Sequence, residues 1–433
     1  MQQLLLALVT TLVLNDDDEA LCRTHTVAQA NMTWRQAAGV LKYPYLVPSG
    51  PYEQCWDWDS VFLGTATLEW GSQPYLAGSM ANFFAATNLS SGAVTGCLTR
   101  TLPTVCSSST KEHDALSHAK PILIQGAWIA ASAPGGSPGG FKMHSQAMEA
   151  LLAFWDRPPR RDLATDLRTW HDQMETGADN CVLSQCPNHR SKCWSESQAF
   201  SLASADAITL LHREHTAYAL FREAWATDEG EARPSAASEH LRVARRHRAI
   251  ADSLRKTLNE RLWRSDLGYH VAYNVTTRTP ILSKTYVMAY PLWAGLVNAS
   301  QAAQLAASLS TEAMLSSAGL RSTSSDDPRY NNDDIIVPYS NWRGPMWVNA
   351  NALACYGLAD YGYHKLAIEI ATRVTAALAS DLRATGTWHE AYSTADRGTP
   401  LAGPGFLSWD TLGASLLSNL RSRVNPFRLQ AKL

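Results

Sequence analysis

The chain has 433 residues, of which 45% are hydrophobic and 18% charged, and a formal net charge of −2. This size and apolar content are typical of a globular protein of one large or two ordinary domains. The near-neutral charge excludes the electrostatic footprint of a nucleic-acid-binding protein. Beyond the N-terminus no run of eighteen or more apolar residues occurs, so the sequence predicts no membrane span in the body of the chain.

The N-terminus carries an apolar run, Leu4 to Leu14, with the length of a signal-peptide core. No Lys or Arg precedes it and an acidic stretch follows it, so an apolar first helix is the alternative. An even number of cysteines, eight, and four glycosylation sequons favour export. We therefore expect residues 1–20 to be a signal peptide or an apolar segment and residues 21–433 to form one domain. We also expect entry into the secretory pathway, with a cytoplasmic location as the alternative.

Apolar residues recur at helical spacing along most of the chain. The predicted helices are Phe141–Trp155, Leu241–Trp263, Val348–Leu358, Leu366–Leu378 and Phe406–Leu420, and another opens at Pro121–Trp128. The main exception is a turn at Asp266–Gly268 followed by alternating Tyr269, Val271 and Tyr273, which predicts a short strand. The polar stretch from Ser322 to Tyr339 predicts a long loop, either a lid or a plain connection. The pattern indicates one all-α domain of paired helices.

A short segment after a Pro- and Gly-rich turn combines aromatic rings with carboxylates. It contains Tyr52, Trp56 and Trp58 beside Asp57 and Asp59, in a turn or loop that enters a helix. Aromatic faces stack on sugar rings, and carboxylates accept hydrogen bonds from sugar hydroxyls. Core packing is the commoner fate of Trp, so this segment alone leaves both interpretations open.

Four further segments are candidates for chemistry. They are Pro121–Trp128 with one Gln in an apolar helix, Glu175–Asn180 with two carboxylates, Asn341–Trp347 with two Trp and an Arg around a Gly-Pro turn, and Gly386–Tyr392 with one carboxylate among aromatic residues. Two apparent metal motifs fail on spacing. The cluster of Cys181, Cys186, His189 and Cys193 does not match a common zinc ligand set, and His212 and His215 lack the order of a zinc helix. The sequence therefore predicts no metal and no cofactor.

Together these segments resemble the inverting (α/α)6-barrel glycoside hydrolases related to trehalase and processing α-glucosidase I, family 63 above all. They occur in the family's order between residues 52 and 409. The resemblance implies an all-α (α/α)6 toroid, a six-hairpin barrel with long loops over the pocket, that hydrolyses a small α-glycoside. The length and the spacing at residues 52–59 are similar to those of the mannosylglycerate and glucosylglycerate hydrolases, although Asn341 stands where those enzymes usually have Tyr.

The resemblance also implies roles for individual residues. Asp179 matches the general acid and Glu390 the general base, with Glu175 supplying a like charge or helping to orient the acid. The positions that match the sugar pocket are Tyr52, Trp56, Trp58, Asp59, Gln125, Trp342, Trp347 and Trp409. If the aglycone is glycerate, Arg213 and nearby Tyr218 are the candidates for its carboxylate, although an Arg on a surface helix would look the same.

Other functions stay open on the sequence. Within the enzyme class, the alternative is a trehalase-like or short α-glucosyl oligosaccharide glucosidase. From other classes, the alternatives are a catalytically silent sugar-binding protein and an epimerase or lyase that would use His389 as its proton carrier.

Overall fold

The fold is mainly helical. The computed structural model describes residues 2–101, 118–185, 199–335 and 340–430, with side chains from residue 16 onward except 173 and 174. In chain order the helices are α1 Gln2–Gln29, α2 Asp57–Ala66, α3 Gln73–Ala86, α4 Leu123–Ser132, α5 Ser145–Trp155, α6 Gln173–Thr176, α7 Ala205–Glu229, α8 Pro234–Arg261, α9 Tyr290–Trp293, α10 Ala299–Leu309, α11 Val348–Asp360, α12 His364–Thr385 and α13 Leu416–Arg421.

The strands are short and lie between the helices. They are β1 Trp34–Arg35, β2 Tyr45–Leu46, β3 Cys55–Trp56, β4 Cys97–Leu98, β5 Leu202–Ala203, β6 Trp263–Arg264, β7 Tyr269–His270, β8 Ala272–Asn274, β9 Thr279–Ile281, β10 Leu315–Ser316, β11 Gly319–Leu320, β12 His389–Tyr392 and β13 Pro400–Pro404. All described pairings are antiparallel, and β5, β8 and β9 form a three-stranded sheet in that order.

Consecutive helices pack in pairs and form two layers. α3 packs on α4, α7 on α8, and α11 on α12, while α4 also contacts α2 and α7. In α2, α4 and α11 nearly every residue is buried, as expected for helices covered on all sides. α8 and α12 instead bury one stripe and expose the opposite face. The helices that are buried all round therefore form an inner layer, and the amphipathic helices cover it.

Most predicted helices are confirmed, as is the strand region at residues 269–273. The helix predicted over Phe141–Trp155 begins as a 3-10 helix, Pro138–His144, and continues as α5. The helix predicted over Phe406–Leu420 is wrong, because a 3-10 helix, Trp409–Ala414, and the short α13 occupy this range. The backbone amides of Leu407 and Ser408 both donate to the carbonyl oxygen of Pro48, and this pairing holds the start of the segment in a loop.

Helix α1 runs through the predicted boundary between residues 20 and 21. Its second half is tied to the rest of the fold: Glu19 Oε1 accepts a hydrogen bond from the Ser418 amide at 2.7 Å, and Asp16 pairs with Arg421 at 2.7 Å. None of the helices in the described residues is long and apolar enough to cross a membrane. Cys97 is disulfide-bonded, whereas four other cysteines are free and buried: Cys22, Cys55, Cys181 and Cys355.

Candidate active site

The first turn of α2 places two carboxylates side by side in the chain with different partners. Asp57 is completely buried and accepts from the Lys120 amide at 2.7 Å and from Lys120 Nζ at 3.3 Å. Asp59 accepts from Ser408 Oγ at 2.6 Å, and burial raises its pKa to about 7. Asp57 therefore anchors Lys120, while Asp59 keeps hydrogen-bonding capacity that is not taken up by a cation.

Four tryptophan rings pack next to Asp59 in one continuous cluster. Trp58 lies 6.0 Å from Trp342 and 5.5 Å from Trp409, measured between ring centroids. Trp342 stacks on Trp347 at 4.0 Å with an interplanar angle of 6°. Because Trp342 and Trp347 are at most 1% exposed, protein atoms cover their faces in this structure and they support Trp58 from behind. Trp56 lies on β3, with its ring edge-to-face against Tyr52.

Asp179 lies in a tight turn that requires glycine at position 177, two residues earlier. Gly177 has φ +78°, and a Cβ atom there would lie 2.5 Å from Trp58 Cζ2 and 2.7 Å from Lys120 Cε. Asp179 Oδ2 accepts from the Ser340 amide at 3.1 Å and from Ser340 Oγ at 2.8 Å. Burial raises the pKa of Asp179 to about 6, while Ser340 and Lys120 act in the opposite direction. The turn therefore packs against Trp58, while Ser340 holds the Asp179 carboxyl.

The residue after the acid locks this turn to the Asn341–Trp347 segment. Asn180 Oδ1 accepts from the Trp342 amide at 2.6 Å, and Asn180 Nδ2 donates to Asn341 Oδ1 at 3.3 Å. Arg343 Nε donates to the Asn180 carbonyl at 2.8 Å. The two segments are thus held in a fixed register, with Asp179 and Ser340 facing each other.

Glu390 projects from an irregular position in β12. The pairing of β12 with β13 shifts register between His389 and Ala391, and such bulges re-aim a side chain. Tyr52 donates its hydroxyl hydrogen to Glu390 Oε2 at 3.2 Å. Burial, followed by the negative charges of Asp179 and Asp59, raises the pKa of Glu390 to about 8, against the effect of the Tyr52 hydrogen bond.

Asp59, Asp179 and Glu390 form one electrostatic group, which we call the carboxyl triad. The charges of Asp59 and Asp179 raise the pKa of Glu390, and burial, followed by the charges of all three, raises the pKa of Tyr52. Carboxyls that repel one another in a buried site retain protons near neutral pH. The triad can therefore hold and exchange protons beside the aromatic cluster, which is the chemistry required for general acid and base catalysis.

Of the two roles predicted for Glu175, a like charge for Asp179 or a part in orienting it, the contacts favour the second. It is fully buried, receives two hydrogen bonds from Arg160 at 2.7 and 2.5 Å, and accepts from the amides of His118 and His171. The arginine and these donors lower its pKa against the effect of burial. Because Arg160 neutralises it, Glu175 serves to hold the chain just before the Asp179 turn.

In the described residues no hydrogen bond joins Gln125, Arg213 or Tyr218 to the carboxyl triad. Arg213 Nε donates to Gln125 Oε1 at 2.7 Å, and Gln125 Nε2 donates to the Pro121 carbonyl at 3.0 Å. Tyr218 donates to Glu149 at 2.7 Å. These side chains are buried, and two of the hydrogen bonds connect α7 with α4 and α5.

Sequence reasoning missed Lys120, Ser340 and Ser408. Lys120 and Ser340 each lie next to a segment that was singled out, but neither has a spacing that signals chemistry. Across the described ranges, no group of three or more His, Cys, Asp or Glu side chains is arranged to hold a metal ion. Cys186, His189, Cys193 and Tyr339 lie outside the described residues.

Comparison with known proteins shows which family this sequence matches. A family model for the mannosylglycerate hydrolase MGH1-like glycoside hydrolase domain matches residues 52–409. The curated mannosylglycerate hydrolase of Thermus thermophilus is 29% identical over 111 residues, which are 26% of this chain and 25% of that enzyme. The matched stretch thus spans about a quarter of the curated relative.

Solved structures share the fold along most of the chain. A GH63 mannosylglycerate hydrolase of Thermus thermophilus, in complex with Tris and D-glycerate, matches with a TM-score of 0.61 at 17% identity, over 93% of this chain and 100% of that one. Neutral trehalase of Saccharomyces cerevisiae matches with a TM-score of 0.62 at 18% identity, over 89% of this chain and 76% of that one. Since the family model covers most of the sequence and contains the carboxyl triad, the chain belongs to the mannosylglycerate hydrolase MGH1-like family of glycoside hydrolases.

Proposed function

We propose that this protein hydrolyses mannosylglycerate or glucosylglycerate with inversion at the anomeric carbon, releasing the free sugar and glycerate. Asp179 is the general acid that protonates the leaving oxygen, and Glu390 is the general base that activates water. The carboxyl triad carries this proposal, because two partly buried carboxyls with raised pKa values flank a tryptophan cluster. In the same proposal, residues 21–433 form one catalytic domain whose helix pairs close into an (α/α)6 toroid.

The substrate class rests on the relatives. The matched family and the curated relative are both named for mannosylglycerate hydrolysis, and one solved relative holds D-glycerate. Trp58 and Trp409 would supply aromatic faces for the sugar ring, and Asp59 would accept from two of its hydroxyls. Tyr52 and Trp56 border the same space from the β3 side.

In the free protein, the pKa values of Asp179 and Glu390 do not give the protonation states that catalysis needs. Glu390 has a pKa of about 8 and Asp179 one of about 6, whereas catalysis needs a protonated Asp179 and an ionised Glu390. Protonation of Asp179 removes a charge that raises the pKa of Glu390. A glycosidic oxygen that accepts a hydrogen bond from Asp179 stabilises its protonated form, so substrate binding moves the proton to the acid and frees the base.

Substrates with different leaving groups separate the two roles. The Asp179→Asn substitution should lower turnover of mannosylglycerate by roughly 10²–10⁴-fold. The same variant should hydrolyse α-mannosyl fluoride nearly as fast as wild type, because fluoride leaves without protonation. Glu390→Gln should lose both activities, since each requires an activated water. The anomer formed first by wild type, followed by NMR, should be β.

Three results would remove parts of the proposal. An α anomer as first product would show retention and exclude Glu390 as a base acting on water. Equal losses on both substrates in Asp179→Asn would remove the acid role. Cleavage of trehalose alone, in a parallel reaction, would keep the acid and base but replace the glycerate glycosides by a disaccharide.

A further inference from the structure

A polar cavity lies between α7, α9 and the C-terminal segment. It has a volume of about 180 Å³, and its lining includes His212, Arg213, Thr216 and Trp293, together with Asn425, Arg428 and Leu429 of the C-terminal segment. One water needs only roughly 10–15 Å³ in this measure, so a molecule of several non-hydrogen atoms fits. This cavity is separate from the carboxyl triad, none of whose members lines it.

Phe427 separates the cavity from the tryptophan cluster. It is 1% exposed, and its ring lies 5.9 Å from Phe62 on one side and 5.9 Å from Trp293 on the other. Phe62 in turn lies 5.9 Å from Trp58. Two aromatic rings in series, Phe62 and Phe427, therefore lie between Trp58 and the Trp293 wall of the cavity.

Arg213 is a buried cation on the wall of this cavity. Its side chain is 5% exposed and lies 3.9 Å from the Trp293 ring. Its guanidinium donates to Gln125 Oε1 at 2.7 Å and to the Phe427 carbonyl at 2.6 Å, both neutral acceptors. In the described part of the chain, Arg213 forms no salt bridge and its third nitrogen, Nη1, forms no hydrogen bond.

The carboxylates next to Arg213 and at the cavity form their hydrogen bonds and ion pairs with other groups. Glu214, the next residue, accepts from the amides of Ile124 and Gln125. Burial lowers the pKa of Arg213 and the charge of Glu214 acts against that effect, but no salt bridge joins the two side chains in the described residues. Asp360, at the cavity rim, pairs with Arg428 and accepts from Asn425 Nδ2 at 2.8 Å. A buried cation without an ionic partner is costly by several kcal/mol, and an anion in the adjacent space would offset that cost.

We propose that this cavity is a binding site for a small oxyanion, either a phosphate or a short hydroxycarboxylate, with Arg213 as its main cationic contact. Arg428, which is paired with Asp360, adds further guanidinium donors at the open rim, where its side chain is 51% exposed. Thr216 and His212 add neutral polar groups, and the Nδ1 atom of His212 is buried without a hydrogen-bond partner in the described residues. Planar guanidinium groups with free donors are suited to carboxylate and phosphate oxygens.

Direct binding tests this site independently of hydrolysis. Inorganic phosphate and D-glycerate are titrated separately into the intact protein by isothermal calorimetry, at constant ionic strength set with chloride. We expect saturable binding of at least one of the two at millimolar concentration or below. Arg213→Met should weaken it at least ten-fold and Arg428→Gln several-fold, while Arg423→Gln, an exposed arginine of the same segment that does not line the cavity, should bind as wild type.

Two further variants keep the test decisive. If Arg213→Met does not fold, Arg428→Gln and the near-isosteric Thr216→Val take its place, and both should weaken binding. Glu390→Gln should bind the anion as wild type does, because the triad lies on the other side of Phe427. Absence of saturable binding, equal binding by wild type and Arg428→Gln, or loss of binding in Glu390→Gln would each overturn the proposal.

Discussion

Replacing Gly177 by Ala adds one methyl group and should lower both the free energy of unfolding and kcat. The backbone at this position has φ +78°, and the new Cβ would lie 2.5 Å from the Trp58 ring and 2.7 Å from Lys120 Cε. Lys120 is pinned by two hydrogen bonds to Asp57, and Trp58 is packed against three other rings. Neither neighbour can move aside freely, so the turn itself must shift.

The expected cost has two parts. A side chain in the left-handed region costs roughly 1–2 kcal/mol, and overpacking of a filled site costs about 1–3 kcal/mol more. The free energy of unfolding should therefore fall by about 2–5 kcal/mol. Since Asp179 is two residues away, a displacement of about 1 Å should lower kcat for the glycoside roughly 100-fold.

Gly135 provides a matched control. It has φ +81°, is exposed, and an added Cβ would meet nothing within 4 Å. Gly135→Ala therefore suffers the backbone cost alone, and its turnover should equal that of wild type. Urea denaturation and steady-state hydrolysis of both variants measure the difference. If the two variants lose the same stability and Gly177→Ala keeps wild-type turnover, the close contact with Trp58 and Lys120 does not constrain the turn.

Two further predictions concern buried carboxyls. Glu175→Gln should lower the free energy of unfolding by about 3–5 kcal/mol because it breaks the buried pair with Arg160, whereas Glu239→Gln, in an exposed pair with Arg242, should change it little; equal effects would contradict this reasoning. Asp410 is completely buried, neither of its oxygens has a hydrogen-bond partner in the described residues, and burial raises its pKa well above its ordinary value. The unfolded chain therefore loses this proton at lower pH than the folded protein does, so stability falls with rising pH above about 4, by about 1.4 kcal/mol per pH unit. In urea titrations between pH 5 and pH 7, Asp410→Asn should lessen that slope, and an unchanged slope would show that Asp410 is ionised in the fold.

A helix that buries only one face shows its period directly in the sequence. In α8, Val243, Leu254 and Leu258 recur at helical spacing with Arg and Lys between them, so the period is visible in the sequence. The range Phe406–Leu420 is equally apolar, yet its start forms a loop. The cause is a pair of hydrogen bonds to Pro48, more than 350 positions away, which no local pattern reveals.

In the candidate site, too, some residues can be found from the sequence and others cannot. Asp179, Glu390 and the tryptophans stand in recognisable segments, so resemblance finds them. Lys120 and Ser340 act only through contacts made in three dimensions, and Glu175 looks like a catalytic neighbour until its partner, Arg160, is known. Arg213 has the right residue type for a carboxylate, but its depth along α7 cannot be read from its spacing.

The hydrogen bonds that close the site join the two ends of the matched region. Hydrogen bonds join Tyr52 to Glu390, Asp59 to Ser408 and Ser49 to Gly405, with sequence separations of 338, 349 and 356 residues. During synthesis, at roughly 5–20 residues per second, the early half of the site must wait on the order of 20–80 seconds for its partners. Over that interval the rings around Trp58 lack their final cover. The nascent chain thus carries an exposed aromatic surface until residues 388–409 arrive, which makes the last steps of folding the period of greatest exposure to aggregation.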